Sequence, residues 1–228
     1  MERSCQLDTY RTYKASQVKI ICIARNYSQH AAEMGAPQYE RGSQQALSPS
    51  FFLKPDSALL VGGKPFFYPE FSNRIEHEIE LVVRIDRVGK SIEERFAHKY
   101  YSSVTLGIDF TARDLQSEAK SKGLPWTLSK GFDGSAVLGD FVPLAELGGN
   151  VQDLDFALLR NGETVQSGNT SQMLCSVDRM ISYLSDFMLL RTGDLIYTGT
   201  PSGVGPVAIG DTLEGELCGR KLLHCKVK

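Results

Sequence analysis

The stretch RIEHEIELVVRI, from Arg74 to Ile85, constrains the fold more than any other. It sets Glu76, Glu78 and Glu80 at every second position and then turns apolar. Alternate side chains of a strand share a face, so the pattern predicts a strand carrying a row of carboxylates. Like charges at that spacing repel, and burying an unpaired carboxylate is costly. Taken alone, a strand with one charged and one apolar face reads most simply as a solvated sheet edge. Two neighbours argue otherwise. Val82 continues the glutamate face, so that face is expected to become buried further along. The stretch VTLGIDF places Val104, Leu106 and Ile108 on one face and Asp109 on the other, beyond Gly107, whose missing side chain leaves room beside it. A carboxylate near the end of an apolar strand is unusual unless it is paired or metal-bound.

Two of these glutamates and Asp109 from a second strand make an open, all-oxygen site. Hard carboxylates without His or Cys favour Mg2+ or Mn2+, with Ca2+ a further candidate, over Zn2+. Three protein ligands leave positions for water and a chelating substrate. Spacing leaves open whether the pair is Glu76 with Glu78 or Glu78 with Glu80. His30 and Glu33 are spaced i, i+3 on a short predicted helix and can meet on one face. The blander reading, a surface helix with a solvated His, is the commoner one. The functional reading is a dyad in which Glu33 orients His30 and both activate a water. Lys130 follows a loop containing Trp126 and taken alone reads as a solvated lysine.

The rest of the chain supplies a scaffold. VKIICIA and SFFLK read as strands, NYSQHAAEM as a short helix with Asn26 as N-cap and Gly35 as C-cap, and IEERFAHKYYSSV has helical spacing. ARDLQSEAKSKG reads as a helix ending at Gly123, and DFALLRNGETVQSG as a hairpin turning at Asn161–Gly162. CSVDRMISYLSDFMLL is an amphipathic helix, and DLIYTGTPSGVGPVAIGDTLEGELCG is strand, glycine-rich loop, strand. The expectation is one catalytic domain over residues 1–228, with an N-terminal extension over 1–17 and a candidate lid loop over 36–50. Its class is α+β, β-dominated, without the βαβ rhythm of a doubly wound fold.

Several function classes lose support. HEIEL has Leu81 where H-E-x-x-H needs its second His, and GTPSGVG is neither a nucleophile elbow nor a P-loop. With 25 basic against 27 acidic residues and no basic run, nucleic-acid binding is not expected. The five cysteines are scattered and form no C-x-x-C, which fits a reducing compartment. No apolar run approaches membrane-spanning length and no secretory signal is visible, so a cytoplasmic location is expected.

RNYSQHAAEMG, FFLKP, HEIEL, DFTARDLQ, KGLPWTLSKGFD, NGETVQSGNTSQM and GDLIYTGTPSGVG, in that order, resemble the fumarylacetoacetate hydrolase family, in particular its short acylpyruvate hydrolase and oxaloacetate decarboxylase branch. The likeness runs from Val18 to Leu217. It implies the mixed β-sandwich roll of the fumarylacetoacetate hydrolase C-terminal domain type, a homodimer, and a divalent metal held by Glu78, Glu80 and Asp109, leaving Glu76 outside and His77 structural. It also implies His30 and Glu33 as the water-activating pair, Lys130 as a catalytic cation, and substrate contacts at Arg25, Lys54, Arg113, Gln116 and Thr200. The substrate class it implies is a small 2-oxo acid, cleaved at a C–C bond as in acetylpyruvate or fumarylpyruvate, with oxaloacetate decarboxylation on the same site. Departures at Ala24, Gly131 and Val137 lie near the pocket in sequence and bear on substrate identity. Two rival readings are an isomerase, decarboxylase or hydratase of 2-oxo dienoate acids in aromatic catabolism, and a non-catalytic metal- or ligand-binding relative.

Overall fold

The computed structural model describes residues 18–33, 43 and 48–228. The N-terminal extension, Gly35 and most of the candidate lid loop lie outside them. Strands β1 (Ile20–Ile23), β2 (Phe51–Lys54), β3 (Leu59–Leu60), β4 (Ile75–His77), β5 (Ile79–Arg84), β6 (Ser103–Asp109), β7 (Thr111–Ala112) and β8 (Ala136–Leu138) form the first half. They are followed by β9 (Val142–Pro143), β10 (Asp155–Arg160), β11 (Glu163–Asn169), β12 (Leu195–Tyr197), β13 (Gly205–Pro206), β14 (Thr212–Leu217) and β15 (Arg220–Lys226). The helices are α1 (Ser28–Glu33), α2 (Glu94–Ala97), α3 (Arg113–Lys122), α4 (Thr127–Lys130) and α5 (Val177–Phe187).

A mixed sheet runs β2-β1-β12-β5-β6-β8-β3, with β9 added on β6. An antiparallel sheet β11-β10-β14-β15 packs against β6 through β14 and β15. The β-dominated α+β class expected from the sequence is what forms. The pattern of β14 shows why: Leu213, Gly215 and Leu217 alternate with half-exposed Thr212, Glu214 and Glu216, so one face packs inward. Helix α5 buries Val177, Met180, Ile181 and Leu184, the i, i+3, i+4, i+7 stripe of an amphipathic helix, and Ser176 caps it by accepting from Arg179 N. That stripe joins Ile79, Leu81, Val83, Leu106 and Ile108 in the main core. Each such side chain contributes about 1.5–3 kcal/mol when fully buried. Val82, on the glutamate face, packs with Ile20, Cys22, Leu195 and Tyr197 in a second cluster.

The expected unbroken strand from His77 to Ile85 is interrupted at Glu78. Strands β4 and β7 belong to a small third sheet with β13, whereas β5 and β6 belong to the large one. The register runs through the break: Ile79 faces Ile108 and Glu80 faces Gly107, while Ile75 faces Ala112 and Glu76 faces Thr111. Both chains therefore change sheet at one level, where Asp109 N donates to Glu78 O at 2.9 Å. This corner is the frame of the site.

Two local expectations are corrected. The helical spacing of residues 92–104 yields only α2, because from Ser103 the chain pairs with β5 and β9 and sheet formation overrides it. Asn26 is not a helix cap: its side chain donates to Thr198 O and Cys175 O and accepts from Cys175 N, tying β1 to β12 and to the start of α5. No helix among the described residues is long and apolar enough to cross a membrane.

Candidate active site

At the corner, Glu78 stands opposite Asp109, and Glu80 opposite Gly107, two residues along on the same face. One oxygen from each of Glu78, Glu80 and Asp109 lies within 4.8 Å of the others, and all three residues are buried. Register thus selects the pair that spacing left open. Glu76 lies across the sheet change, where its carboxylate takes Arg113 Nε and, from the outer side, Arg74 Nε at 2.7 Å. His77 also faces away, with Nδ1 2.8 Å from Gln166 Oε1.

Three buried cations hold the carboxylates. Lys130 Nζ donates to Glu78 Oε2 at 2.9 Å and Asp109 Oδ2 at 2.7 Å, which places it between the two. Arg113 donates through Nη2 to Glu78 Oε1 and through Nη1 to Gln116 Oε1. Lys54, fully buried behind Asp109, donates to Lys130 O, Ser135 O and Ser135 Oγ. Its Nζ is 2.6 Å from Asp109 Oδ1, yet that oxygen accepts no directed hydrogen bond. Burial pulls the Glu78 carboxyl up, but Lys130 and Arg113 outweigh it and hold Glu78 well below the usual carboxylate range. Among the described residues, Glu80 accepts only from the amide of Gly199, at 2.7 Å. Burial, then Asp109 and Glu78, push its carboxyl well above the usual range.

This electrostatic imbalance suits a hard dication. Three convergent carboxylate oxygens, one of them belonging to a carboxylate its neighbours disfavour, form a donor set that fits a hard divalent cation. The three carboxylates lie in a cleft of about 40 Å³ that is lined by other elements as well.

His30, buried on α1, faces the same cavity, which Ala24, Arg25, Arg113, Gln116 and Thr200 also line. Its Nδ1 lies 3.7 Å from Glu33 Oε2 and accepts or donates no hydrogen bond among the described residues. Glu33 is instead anchored to Gly203 N in the glycine-rich loop, at 3.1 Å. Burial, opposed by Glu78 and assisted by Lys130 and Arg113, lowers the His30 pKa and favours the neutral imidazole a base requires. Of the residues singled out in the sequence, Arg25, His30, Glu78, Glu80, Asp109, Arg113, Gln116, Lys130 and Thr200 line one cleft, whereas Glu33, bonded to Gly203 N, and Lys54, behind Asp109, do not.

Sequence reasoning missed four residues. Phe52, Trp126 and Lys120 line the cleft. Gln166 reaches from β11 to hold Ile79 N and, through Nε2, Thr200 Oγ1 at 2.9 Å. Lys120 had a legible signal, because Arg113, Gln116 and Lys120 follow i, i+3, i+7 along one face of α3.

Comparison with known proteins agrees with this geometry. The model of the fumarylacetoacetate (FAA) hydrolase C-terminal family matches residues 19–228. The mitochondrial oxaloacetate decarboxylase of Dictyostelium discoideum is 42% identical over 202 residues, covering 88% of this chain and 89% of that one. The mitochondrial oxaloacetate tautomerase FAHD1 of Mus musculus is 40% identical over 209 residues, covering 92% and 91%. The crystal structure of fumarylpyruvate hydrolase from Pseudomonas aeruginosa, in complex with Mn2+ and pyruvate, superposes with a TM-score of 0.83 at 36% identity, covering 92% and 88%.

Proposed function

The chain belongs to the fumarylacetoacetate hydrolase family, and from that membership we propose that it is a divalent-metal-dependent enzyme that cleaves acylpyruvates to pyruvate and a carboxylic acid. The observation that carries this reading is the buried Glu78, Glu80 and Asp109 cluster with Lys130 against it and a neutral, buried His30 in the same cavity. A dication held by the three carboxylates supplies a Lewis acid for the ketone and carboxylate oxygens of a 2-oxo acid.

The chain's own residues do the rest. His30 takes a proton from water, and the hydroxide attacks the distal carbonyl carbon of the acylpyruvate. The C–C bond between that carbon and the adjacent methylene then breaks. The acyl part leaves as a carboxylic acid, and the electron pair passes into the pyruvate part, onto its ketone oxygen. Lys130, an ammonium held in low dielectric, supplies positive charge for it. A proton to the methylene completes pyruvate. Arg113 is oriented by Glu76, Glu78 and Gln116 and keeps the corner rigid.

A second reading is favoured by the 3.7 Å gap between His30 and Glu33. Loss of CO2 from oxaloacetate, or its tautomerisation, places charge on the same ketone oxygen and needs no activated water. The test is pyruvate release from acetylpyruvate, fumarylpyruvate and oxaloacetate with Mg2+ or Mn2+. His30→Ala is expected to lower acylpyruvate hydrolysis about 100-fold or more and oxaloacetate decarboxylation far less. Equal losses would remove the water-activating role. Asp109→Ala is expected to abolish both activities through metal loss; turnover by that variant in EDTA would sink the metal assignment. We further propose a homodimer, which sedimentation velocity tests directly.

A further inference from the structure

The inner and outer parts of the cleft differ in charge balance. Inside, Lys54, Lys130 and Arg113 are each committed to buried carboxylates. At the mouth, Arg25 and Lys120 line the same cleft, and neither has an ion-pair or hydrogen-bond partner among the described residues. Both are exposed. Arg25 holds a left-handed backbone, φ 59°, which is uncommon and strained for a non-glycine residue. Lys120 Nζ sits 5.5 Å from the centre of the Trp126 ring, within cation–π reach, so the ammonium has a seat that needs no counter-ion from the described residues. Partial burial, then repulsion from Arg113 and Arg25, opposed by Glu78, lowers the Lys120 pKa.

Helix geometry sets where this charge lies. Arg113 and Gln116 sit at the inner end of α3, and Lys120 follows on the same face, roughly 6 Å beyond Gln116 at 1.5 Å per residue. A 2-oxo acid with its ketone end at the carboxylate cluster would direct its far end along this face.

We propose that Lys120, seated on Trp126 and assisted by Arg25, is the specificity residue that binds a distal carboxylate, so that the preferred substrates are 2-oxo dicarboxylic acids over those ending in an uncharged alkyl group. This deepens the function proposed above and rests on it for the orientation of the ketone end. Lys120 touches the far end of the substrate and takes no part in bond breaking.

The test is binding to the Mg2+-loaded protein by calorimetry, using 2-oxoglutarate and 2-oxohexanoate, which lack the acylpyruvate bond. Wild type is expected to bind 2-oxoglutarate about tenfold more tightly, the order of one charge-assisted hydrogen bond. Lys120→Met is expected to erase that preference, weakening 2-oxoglutarate binding far more than 2-oxohexanoate binding. Lys120→Arg is expected to keep it, and 0.5 M NaCl to weaken it in wild type. A preference that survives in Lys120→Met, or a wild type with none, overturns the assignment. In turnover, Lys120→Met should raise KM for fumarylpyruvate about tenfold at nearly constant kcat, a larger change than its KM for acetylpyruvate shows. Because binding is read on uncleaved acids, absence of turnover would overturn the proposed reaction, whereas loss of the binding preference would overturn the Lys120 assignment.

Discussion

Gly107 illustrates how one residue sets the site. Its missing side chain was expected to leave room beside Asp109, and the structure fills that room. A Cβ there would lie 2.4 Å from Tyr197 Cε1, 2.7 Å from Val82 Cγ2 and 2.8 Å from Val137 O. Tyr197 is itself pinned, its hydroxyl donating to Val137 O at 2.8 Å. Gly107→Ala should therefore destabilise the fold by about 1–3 kcal/mol through overpacking, read from urea unfolding. An unchanged midpoint would show that the ring moves freely. Cys218 carries the opposite case. It turns β14 into β15 with φ 48°, followed by Gly219 at 76°, the same arrangement as Asn161 and Gly162 in the preceding hairpin, at 56° and 84°. Asn tolerates this conformation and Cys does not favour it. Cys218→Asn should stabilise by about 0.5–1 kcal/mol and remove an exposed thiol. A lower unfolding midpoint would mean that the thiol makes contacts worth more than the strain.

Between elements, the sequence speaks where a signal is local and falls silent where it depends on partners. The hairpin at Asn161–Gly162, the amphipathic stripe of α5 and the Gly123 stop of α3 (φ 65°) are written in short-range chemistry, and each forms where its residues indicate. The corner is not written that way. Nothing in RIEHEIELVVRI marks Glu78 as the point of sheet change, because that depends on β13 and β7 pairing with β4 and on β6 and β12 pairing with β5. Spacing alone could not separate Glu76 from Glu80 for the same reason. Lys120 follows a legible period from Arg113 and Gln116, but that period alone does not separate it from an ordinary solvated helical lysine. Gln166 had no signal, since its partners are distant in sequence. It joins β11 to the corner through Ile79 N at 3.1 Å and to the glycine-rich loop through Thr200 Oγ1 and Pro201 O. Gln166→Leu strands these buried groups and should cost about 1–3 kcal/mol in chemical denaturation. An unchanged midpoint would show that water replaces the amide in these bonds.

For the molecule as a whole, the carboxylate cluster couples metal binding to stability. Burial, Asp109 and Glu78 raise the Glu80 pKa, so in the metal-free protein the folded state holds a proton that the unfolded chain gives up near the ordinary Glu value of 4.5. Where the unfolded state binds fewer protons, stability falls as pH rises, so burial of Glu80 costs the metal-free fold stability as pH rises above about 4.5 toward neutrality. A dication reverses the sign by making that ionised form the favourable one. Mn2+ at about 100 times its Kd should add about 2.7 kcal/mol. In a chain of this length that corresponds to about 5–10 °C in Tm. Glu80→Gln separates the two contributions, because it removes the repulsion and a ligand together. It should melt higher than wild type in EDTA and gain little from Mn2+, whereas wild type should melt lower in EDTA and rise. Thermal scans of both proteins at pH 7.5, with EDTA and then with Mn2+ in excess, provide the check. If Glu80→Gln melts below wild type in EDTA, the carboxylate is stabilised by the fold without metal, and the charge imbalance invoked for the site is absent. If both proteins gain equally from Mn2+, the ion binds elsewhere.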